Sequence, residues 1–524
     1  MGISHWPGWA RALLNLAIIL IVWEVVGQFQ LVASGALPPP SAVLLRLVTD
    51  WSDYPDHIAA TLYGAGVGFF IGNLVAVAAG VLFALYPVTS RVARGLNVAI
   101  FALPPIAISP ILVLTLSDMA PRIVLAALGC YFVTMTATVV GLTQADARAV
   151  DVVRAYGGRK WAALRFVQWR SAMPTILSGL RIAAPNAVLG SILAEFGGGG
   201  RWGLGVYLLG SLGRAEPDRL WGIGLVATGI AALAYFAFAA LAGAINRGSQ
   251  AVTVPSAVLS AGDKPRPAWQ QALIIAASVA LPFALWWVLL AVLRVPSMIA
   301  KTPPGLFEYL FLLPSAPVAQ GKLLAALAQT LPMTLIGMVL GLALAFALAL
   351  SSQIWPAIVR AFMPVALVTQ TMPLVALTPL LVLMLGRGPA VILWITVSVT
   401  FFPAFVTMAQ GLLQVPRAAL EVPKAYGAGI YKQLRLVSVP ASLPYLFAAT
   451  RLTVPRALLG VMIAEWLATG TGLGNLLNQS RGYMDYGMIW AVAVVSVLIS
   501  VLFYQIVVVV ERRTLGRLGM ASAE

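Results

Sequence analysis

The chain has 524 residues, of which 60% are hydrophobic and 10% are charged, and its formal net charge is +16. Soluble globular domains contain about 45–50% apolar and about 25% charged residues, so this composition excludes an ordinary soluble protein. One cysteine and two histidines exclude a disulfide within the chain and give no metal-binding cluster, so we predict that the chain itself holds no metal and no cofactor.

The hydrophobic residues are concentrated in runs of about 20, the length of a membrane-spanning helix. They predict an all-α integral membrane protein with about twelve transmembrane helices. The runs lie near 11–32, 58–86, 96–116, 122–144, 172–194, 220–245, 270–293, 324–350, 361–385, 389–413, 442–464 and 487–510. The first run exceeds the apolar segment of a signal peptide and has a counterpart at 270–293, so we expect both to be retained helices.

The positive charges indicate an orientation for these spans. With the N-terminus in the cytoplasm, cytoplasmic segments hold 20 of the 33 Lys and Arg residues, and external segments hold 10. This bias follows the positive-inside rule and accounts for the basic net charge without a nucleic-acid partner. We therefore predict a multi-pass membrane protein with both termini in the cytoplasm.

The chain divides into two halves at 247–268, a polar stretch with Pro, Gly and Ser that is typical of a cytoplasmic linker. The predicted transmembrane domains are 1–246 and 269–524, with six spans each. Because six is even, both halves enter the membrane from the same side. They are therefore parallel six-helix repeats that can face each other across a central pathway.

Prolines recur in the third span of each half. Pro105 and Ser109 in the first half correspond to Pro373 and Thr378 in the second. Proline interrupts the hydrogen bonding of a helix, and the freed carbonyl groups are tolerated in a membrane only against protein or a water-filled cavity. These four residues are candidate pathway-lining positions. The alternative is a kink needed only for packing.

A polar segment after the fourth span also occurs twice. Residues 151–195 and 421–465 are identical at 15 of 45 positions without gaps. Each copy is predicted to begin with two short helical pieces joined at a glycine corner, and an acidic residue opens the first piece. The corresponding residues are Asp151, Ala155, Tyr156 and Gly157 in the first copy, and Glu421, Ala425, Tyr426 and Gly427 in the second. Such a cytoplasmic projection either docks a partner or lies on anionic membrane lipid.

Each copy continues into a fifth span that carries charged residues. Arg181 and Glu195 recur as Arg451 and Glu465, and a charge near the centre of a span costs about 2.5–3.5 kcal/mol. In one interpretation the arginines stabilise a cytoplasmic gate and the glutamates lie at the outer rim. In the other, these residues are interfacial anchors and partners in inter-helix pairs.

Arg456 lies in the same span of the second half and corresponds to Asn186 in the first. An arginine present in one half only would contact an anionic group from one side of the pathway. Arg456 is therefore a candidate for contact with a transported solute.

The duplicated loop resembles the "EAA" loop of ATP-binding cassette (ABC) importer permeases, with the pattern Glu-Ala-Ala, three residues, Gly, and then a hydrophobic-x-Leu-Pro stretch. The second copy ends in Val439-Pro440, whereas the first has Trp169-Arg170 there and an aspartate for the glutamate. Both copies lack the double alanine. The Pro-Ser start of the chain's first half and the repeated Ala-Glu and Gly-Leu-Gly stretches are most similar to permeases of the nitrate/sulfonate/taurine type.

The resemblance implies that this loop is a coupling helix, which sits in a groove on an ABC ATPase subunit and transmits ATP-driven closure to the pathway. It assigns that role to the four corresponding residues in each copy. The chain has no G-x4-G-K-[ST] phosphate-binding loop. ATP and Mg would therefore be bound by two separate ATPase subunits, and the chain would not itself be an enzyme. The resemblance also implies an external solute-binding protein as the other partner and the bacterial cell (inner) membrane as the location.

The resemblance implies a small solute, and anionic organic compounds are among those that such permeases import. The same type also includes importers of thiamine precursors and riboflavin, so the identity of the solute stays open. The alternative function is a secondary transporter driven by an ion gradient, which normally has acidic residues buried in its spans. Glu24 is the main mid-span acid and has no counterpart in the second half. No cluster of catalytic groups indicates a membrane enzyme.

Overall fold

The computed structural model describes residues 8–31, 37–198, 200–214, 216–245, 267–351, 353–355, 378, 381–382, 384–413, 415 and 417–519. Every regular element in these ranges is helical, as the sequence predicts. Pro373 and most of the span predicted at 361–385 lie outside the described residues. The linker predicted at 247–268 also lies outside them, except for its last two residues.

The first half contains the helices α1 to α12. Their bounds are α1 Gly8–Gln28, α2 Pro40–Thr49, α3 Tyr54–Leu85, α4 Pro87–Val92, α5 Arg94–Ala102, α6 Pro105–Thr115, α7 Ala120–Thr143, α8 Ala147–Ala155, α9 Lys160–Ala163, α10 Trp169–Phe196, α11 Leu204–Gly213 and α12 Pro217–Ile245. A π-helical turn at Leu164–Gln168 joins α9 to α10.

The described part of the second half contains the helices α13 to α21. Their bounds are α13 Ala268–Val292, α14 Pro303–Phe307, α15 Ala316–Ser351, α16 Pro389–Leu413, α17 Arg417–Ala425, α18 Ile430–Gln433, α19 Val439–Ala464, α20 Gly472–Gly482 and α21 Tyr486–Arg517. π-Helical turns follow α14, α18 and α19, at Glu308–Leu312, Leu434–Ser438 and Glu465–Thr469.

Within the described ranges, nine helical segments are long and apolar enough to cross a membrane. A tenth candidate span is α5 together with α6, which are bent by 97° relative to each other. The span predicted at 96–116 is therefore a broken helix, with Leu103 and Pro104 at the break, because proline cannot continue the hydrogen-bond ladder. The predicted number of about twelve also includes 11–32, which corresponds to α1, and 361–385.

The same three-helix core forms in each half: α7 packs between α3 and α10, and α16 packs between α15 and α19. Glycines allow these helices to approach closely. A Cβ atom at Gly72 would lie 2.6 Å from the carbonyl oxygen of Ala127, and one at Gly341 would lie 1.9 Å from Thr400 Oγ1. Small residues at such contacts are typical of helix packing in membranes, where dispersion and close approach replace the hydrophobic effect.

The two halves share one hydrophobic core. Helix α13 packs on α4 and α5, and both α19 and α21 pack on α6. Ile106 and Ile111 of α6 belong to the same buried cluster as Leu458 and Met462 of α19. On one end of this interface, Arg481 Nη1 of α20 donates to the Phe196 carbonyl oxygen of α10 at 3.3 Å. The copies of the fifth span, α10 and α19, therefore lie near the contact between the halves.

Candidate functional site

The first copy of the duplicated loop is a helix, α8, that ends in a glycine corner. Gly157 N donates to the Arg154 carbonyl oxygen and Gly158 N to the Val153 carbonyl oxygen, each at 2.9 Å. Gly157 has a φ of +80°, which an L-residue with a side chain rarely adopts. This pair of hydrogen bonds around a left-handed residue is a Schellman motif, which satisfies the last carbonyl groups of the helix.

The second copy, α17, ends in the same way. Gly427 has a φ of +75°. Its N–H donates to the Lys424 carbonyl oxygen, and Ala428 N donates to the Pro423 carbonyl oxygen, each at 2.9 Å. The prediction of a glycine corner between two short helical pieces is confirmed in both halves.

The side chains around both corners are exposed. All eight predicted loop residues are exposed, and Tyr156 and Tyr426 are 89% and 90% exposed. Val152 and Val422 lie beside them and are also more than half exposed. Aromatic and aliphatic side chains that extend together into solvent are typical of a surface that a partner covers.

The prediction that Asp151 and Glu421 open their helices is wrong. Each is the fifth residue of its helix, α8 or α17. The N-terminus of α8 is instead capped by Asp146, whose carboxylate accepts from Arg148 N at 2.9 Å. Asp151 forms an exposed ion pair with Arg154 at 3.1 Å. The acidic residue therefore lies on the surface of the helix, away from the four free N–H groups of its first turn.

The loop copies keep one backbone form where their sequences differ most. Trp169-Arg170 and Val439-Pro440 both begin the long helix that follows a five-residue π-helical turn. A proline in the first turn of a helix lacks only an N–H group that has no partner in the helix. The departure of the first copy from the family pattern therefore leaves the backbone unchanged. That the two loops make different contacts with their partners stays a prediction.

A second duplicated feature is a buried glutamate at the C-terminal end of the fifth span. Glu195 Oε1 accepts from Thr61 Oγ1 at 2.8 Å, and Oε2 accepts from Gly205 N at 2.6 Å. The Thr61 hydroxyl oxygen in turn accepts from Leu204 N at 2.9 Å. Arg122 Nη1 lies 3.6 Å from the carboxylate. The glutamate thereby joins α3, α10 and the start of α11.

The second half repeats this glutamate latch, meaning the glutamate, its threonine and the N–H groups that they bind. Glu465 accepts from Thr330 Oγ1 at 2.7 Å and from Gly474 N at 2.9 Å. Leu473 N donates to Thr330 Oγ1 at 2.9 Å. The latch joins α15, the π-helical turn that follows α19 and the start of α20.

Glu195 and Glu465 are each only 1% exposed, so neither side chain lies in solvent, and their location at an outer rim stays a prediction. The sequence analysis identified the repeated Gly-Leu-Gly stretch but missed the threonines and Arg122. A signal was available, since the pair Thr-Leu occurs at 61–62 and 330–331 in corresponding spans. A buried carboxylate requires hydrogen-bond donors, and these residues provide them.

The arginines of the fifth span pair with other helices. The Arg181 guanidinium donates to the Tyr235 hydroxyl of α12 and lies 4.1 Å from the centre of its ring. Arg451 Nη1 lies 3.3 Å from Glu511 Oε2 of α21. Helices α12 and α21 occupy corresponding positions in the two halves. The structure therefore favours the inter-helix interpretation of Arg181 and Arg451.

The other predicted pathway residues occupy different environments. Pro105 opens α6 just after the bend, and Ser109 is fully buried and donates to the Leu193 carbonyl oxygen at 2.9 Å. Thr378 is also fully buried. Arg456 is half-buried on α19. The assignment of these residues to a pathway stays a prediction.

In the described part of the chain, no group of three or more His, Cys, Asp and Glu side chains is arranged to hold a metal ion. The polar chemistry of the structure consists of hydrogen-bonded carboxylates, arginines and hydroxyl groups. The two exposed loops and the two buried latches are its duplicated features.

Comparison with known proteins identifies the duplication directly. A family model described as "Binding-protein-dependent transport system inner membrane component" matches residues 72–250 and again residues 337–516. The two matches lie one in each half of the chain. They cover more than half of its length and include both exposed loops and both latch glutamates.

Three curated proteins illustrate the range of relatives. The riboflavin transport system permease protein RibX of Chloroflexus aurantiacus is 31% identical over 153 residues, or 29% of this chain and 57% of that protein. The formylaminopyrimidine transport permease protein ThiX of Halalkalibacterium halodurans is 31% identical over 143 residues, or 27% of this chain and 57% of that protein. The taurine transport system permease protein TauC of Escherichia coli is 27% identical over 189 residues, or 34% of this chain and 69% of that protein. The aligned segment thus spans somewhat more than half of the first two relatives.

Proposed function

Because the chain belongs to the family of binding-protein-dependent transport system inner membrane components, with two fused copies, we propose that it forms the whole translocation pathway of an ATP-driven importer. Two separate ABC ATPase subunits dock on its two exposed loops, and an external binding protein delivers a small solute. Both termini lie on the ATPase side of the membrane. ATP and Mg bind to the partner subunits.

The observation that carries this proposal is the identical form of the two loops. Each is a nine-residue helix with a Schellman corner at a glycine of positive φ. The exposure of residues 151–160 matches that of 421–430 at every position. Two surfaces with the same backbone and the same exposed tyrosine suit two copies of one kind of partner.

The fold also supports transmission from the loops to the pathway. Each loop leads through a π-helical turn directly into α10 or α19, the helices near the contact between the halves. A partner that moves a loop therefore moves a central helix, because no flexible linker separates them. We infer that closure of the ATPase subunits changes the distance between the two halves.

The test replaces both corner glycines, as Gly157→Val with Gly427→Val. A left-handed conformation costs about 1–2 kcal/mol for a residue with a side chain, so the corners change shape or unwind. We expect the purified complex of this chain and its ATPases to lose the increase in ATP hydrolysis that the solute-loaded binding protein causes. The measurement is the rate of phosphate release in lipid vesicles.

The matched control is Gly386→Val, because Gly386 has the same φ of +75°, is exposed, and has no atom within 4 Å of an added Cβ. It carries the same backbone strain outside the loops, and its stimulated hydrolysis should match the wild type. Unchanged hydrolysis in the double variant would contradict coupling through the loops. Uptake that survives ATP depletion but stops with an ionophore would instead establish a secondary transporter.

A further inference from the structure

Arg456 occupies an unusual position for a charged residue. It is the eighteenth of the 26 residues of α19, within a segment that is long and apolar enough to span a membrane. Charged residues within membrane spans are rare, and they almost always pair with another group or face a cavity. The surroundings of Arg456 distinguish these two cases.

Arg456 forms no hydrogen bond or ion pair with any residue that the structure describes. The other arginines of the inner helices do: Arg122 contacts Glu195, Arg181 contacts Tyr235 and Arg451 contacts Glu511. Among the residues that the structure describes, the first of the two cases, a structural pair within the protein, therefore does not account for Arg456.

Arg456 is one of the few partly exposed residues on a largely buried stretch of its helix. Between 453 and 466 every residue is buried except Arg456 and Leu459, and between 183 and 197 every residue is buried except Asn186 and Leu189. No residue in 439–466 or in 172–197 is fully exposed, so both helices lie in the interior of the helix bundle over these stretches. The partly exposed positions thus border a space inside the protein.

That space lies between the two halves. Leu189 and Leu459 both pack against the buried cluster that contains residues of both halves. Asn186 and Arg456 lie three residues before them, which is about one turn on the same face of each helix. The two leucines therefore border the closed, apolar end of the space, and Asn186 and Arg456 are the polar residues next to it.

We propose that Arg456 binds an oxyanion group, such as a carboxylate or sulfonate, of the transported solute; this inference rests on the proposed function as an importer. A guanidinium presents planar donors that match a carboxylate or sulfonate in two parallel hydrogen bonds. The opposite half provides the neutral amide of Asn186. Only the second half therefore binds the charged group of the solute. The amide of Asn186 can bind either a hydrogen-bond donor or an acceptor on the opposite side of the solute.

The first experiment measures access to Arg456 in the full chain, purified in detergent. Phenylglyoxal modifies arginine, and peptide mass spectrometry gives the modification rate at each site. We expect methanesulfonate, at a concentration well above its dissociation constant, to slow modification of Arg456 about tenfold relative to the same concentration of neutral dimethyl sulfone, because a hydrogen bond to a charged group changes the ratio of the two dissociation constants by at least that factor. Arg181 and Arg451, which have protein partners, serve as internal controls with unchanged rates.

Three results would overturn the assignment: no modification of Arg456, equal rates with both probes, or protection only by added anionic phospholipid. The last result would assign Arg456 to a lipid headgroup. The wild-type chain suffices for this experiment, so it does not depend on a variant that folds.

The second experiment measures ATP-dependent uptake of an anionic solute by the complete complex in vesicles. We expect Arg456→Gln to reduce uptake about tenfold or more and Arg456→Lys to retain part of it, because lysine keeps the charge but not the paired donors. The matched variant Arg513→Gln makes the same substitution at an exposed arginine of α21 and should leave uptake unchanged. If the wild type shows no ATP-dependent uptake, the proposed function fails. If the wild type transports and Arg456→Gln transports equally well, only the assignment of Arg456 fails.

Discussion

The two halves bind their buried glutamate in the same way but surround it with different charges. Arg122 Nη1 lies 3.6 Å from Glu195 Oε1 in the first half. The corresponding sequence in the second half is Pro389-Ala390, which has no charge. The N–H group that binds the carboxylate lies ten residues after Glu195 but nine after Glu465. Hydroxyl and N–H donors are thus common to both halves, and a buried arginine belongs to one of them.

The largest expected difference in stability between the halves appears when each of the two glutamates is replaced by glutamine. Glu195→Gln leaves the buried guanidinium of Arg122 without its counter-charge, which destabilises proteins by about 3–5 kcal/mol. Glu465→Gln leaves no described cation without a counter-charge. One hydrogen bond then has a donor in place of its acceptor, which destabilises the protein by about 1–3 kcal/mol. Thermal unfolding of each purified variant in detergent measures the difference.

The double variant Arg122→Met with Glu195→Gln tests the cause of that difference. It removes the guanidinium that has lost the Glu195 carboxylate, so it should unfold at a higher temperature than Glu195→Gln alone. If Glu195→Gln and Glu465→Gln lower the unfolding temperature equally, Arg122 does not distinguish the halves and the comparison fails.

The next largest effect on stability should be equal in the two halves. Thr61→Val and Thr330→Val each remove a hydroxyl that donates to the glutamate and accepts from a backbone N–H. Each should lower the free energy of unfolding by about 1–3 kcal/mol, because a buried N–H loses its partner. The control is Thr228→Val, whose hydroxyl donates only to the Gly224 carbonyl oxygen of its own helix. If the free energies of unfolding of the two latch variants differ from each other by as much as they differ from the wild type, the latches are not equivalent.

A smaller, pH-dependent effect on stability distinguishes the two halves at a site outside the membrane spans. In the first half, Asp50 accepts from Arg219 Nε at 2.6 Å and lies 2.8 Å from Arg46 Nε. In the second half, the neutral Tyr309 hydroxyl donates to Asp485 at 3.1 Å. Burial raises the pKa of Asp50, but the hydrogen bonds and positive charges of Arg219 and Arg46 outweigh it, so this pKa lies below its usual range.

A carboxyl whose pKa falls on folding stabilises the protein above its unfolded pKa of about 4, and this contribution is lost as the pH falls through the folded value. Asp50→Asn should therefore destabilise the protein by about 1 kcal/mol at pH 7. The difference from the wild type should shrink once the pH falls below about 4. Thermal unfolding between neutral and acidic pH measures it. Asp151→Asn, which alters an exposed carboxyl, is the control, and a gap that stays constant with pH would contradict the prediction.

The smallest effect on stability belongs to the exposed loops. Tyr156→Ala and Tyr426→Ala should each change the free energy of unfolding by less than about 0.5 kcal/mol, because both side chains lie in solvent. Both should nevertheless weaken copurification of the ATPase subunits. Equal losses would indicate equivalent docking sites. A smaller loss for Tyr156 would indicate that the sequence departures of the first loop weaken its contacts.

The periodic and repeated features of the fold could be predicted from the sequence. Runs of apolar residues predict helices because the membrane offers no hydrogen-bond partner for other backbone forms. The glycine corners at Gly157 and Gly427 were also predictable, because only glycine adopts a positive φ without strain. Both features depend on local chemistry.

The features that the sequence analysis missed depend on contacts between distant residues. Thr61 and Glu195 are 134 positions apart, and no local pattern indicates that they meet. Asp151 illustrates a different error, because an acidic residue near a predicted boundary resembled a helix start, whereas Asp146 lies five residues earlier and caps the helix. Arg122, the first residue of the span predicted at 122–144, received no role in the sequence analysis because hydropathy does not reveal a buried partner.

The unequal charges of the two halves, at Arg122 and Arg456, have a consequence for any protein that binds both halves. A dimer of two identical halves would present each of its surfaces twice, so an external protein could bind it in two equivalent orientations. In this chain Arg122 and Arg456 are each replaced by an uncharged residue in the other half, so the pseudo-two-fold relation between the halves is broken. The molecule thus has distinguishable left and right sides, and a single external protein would meet one favoured orientation.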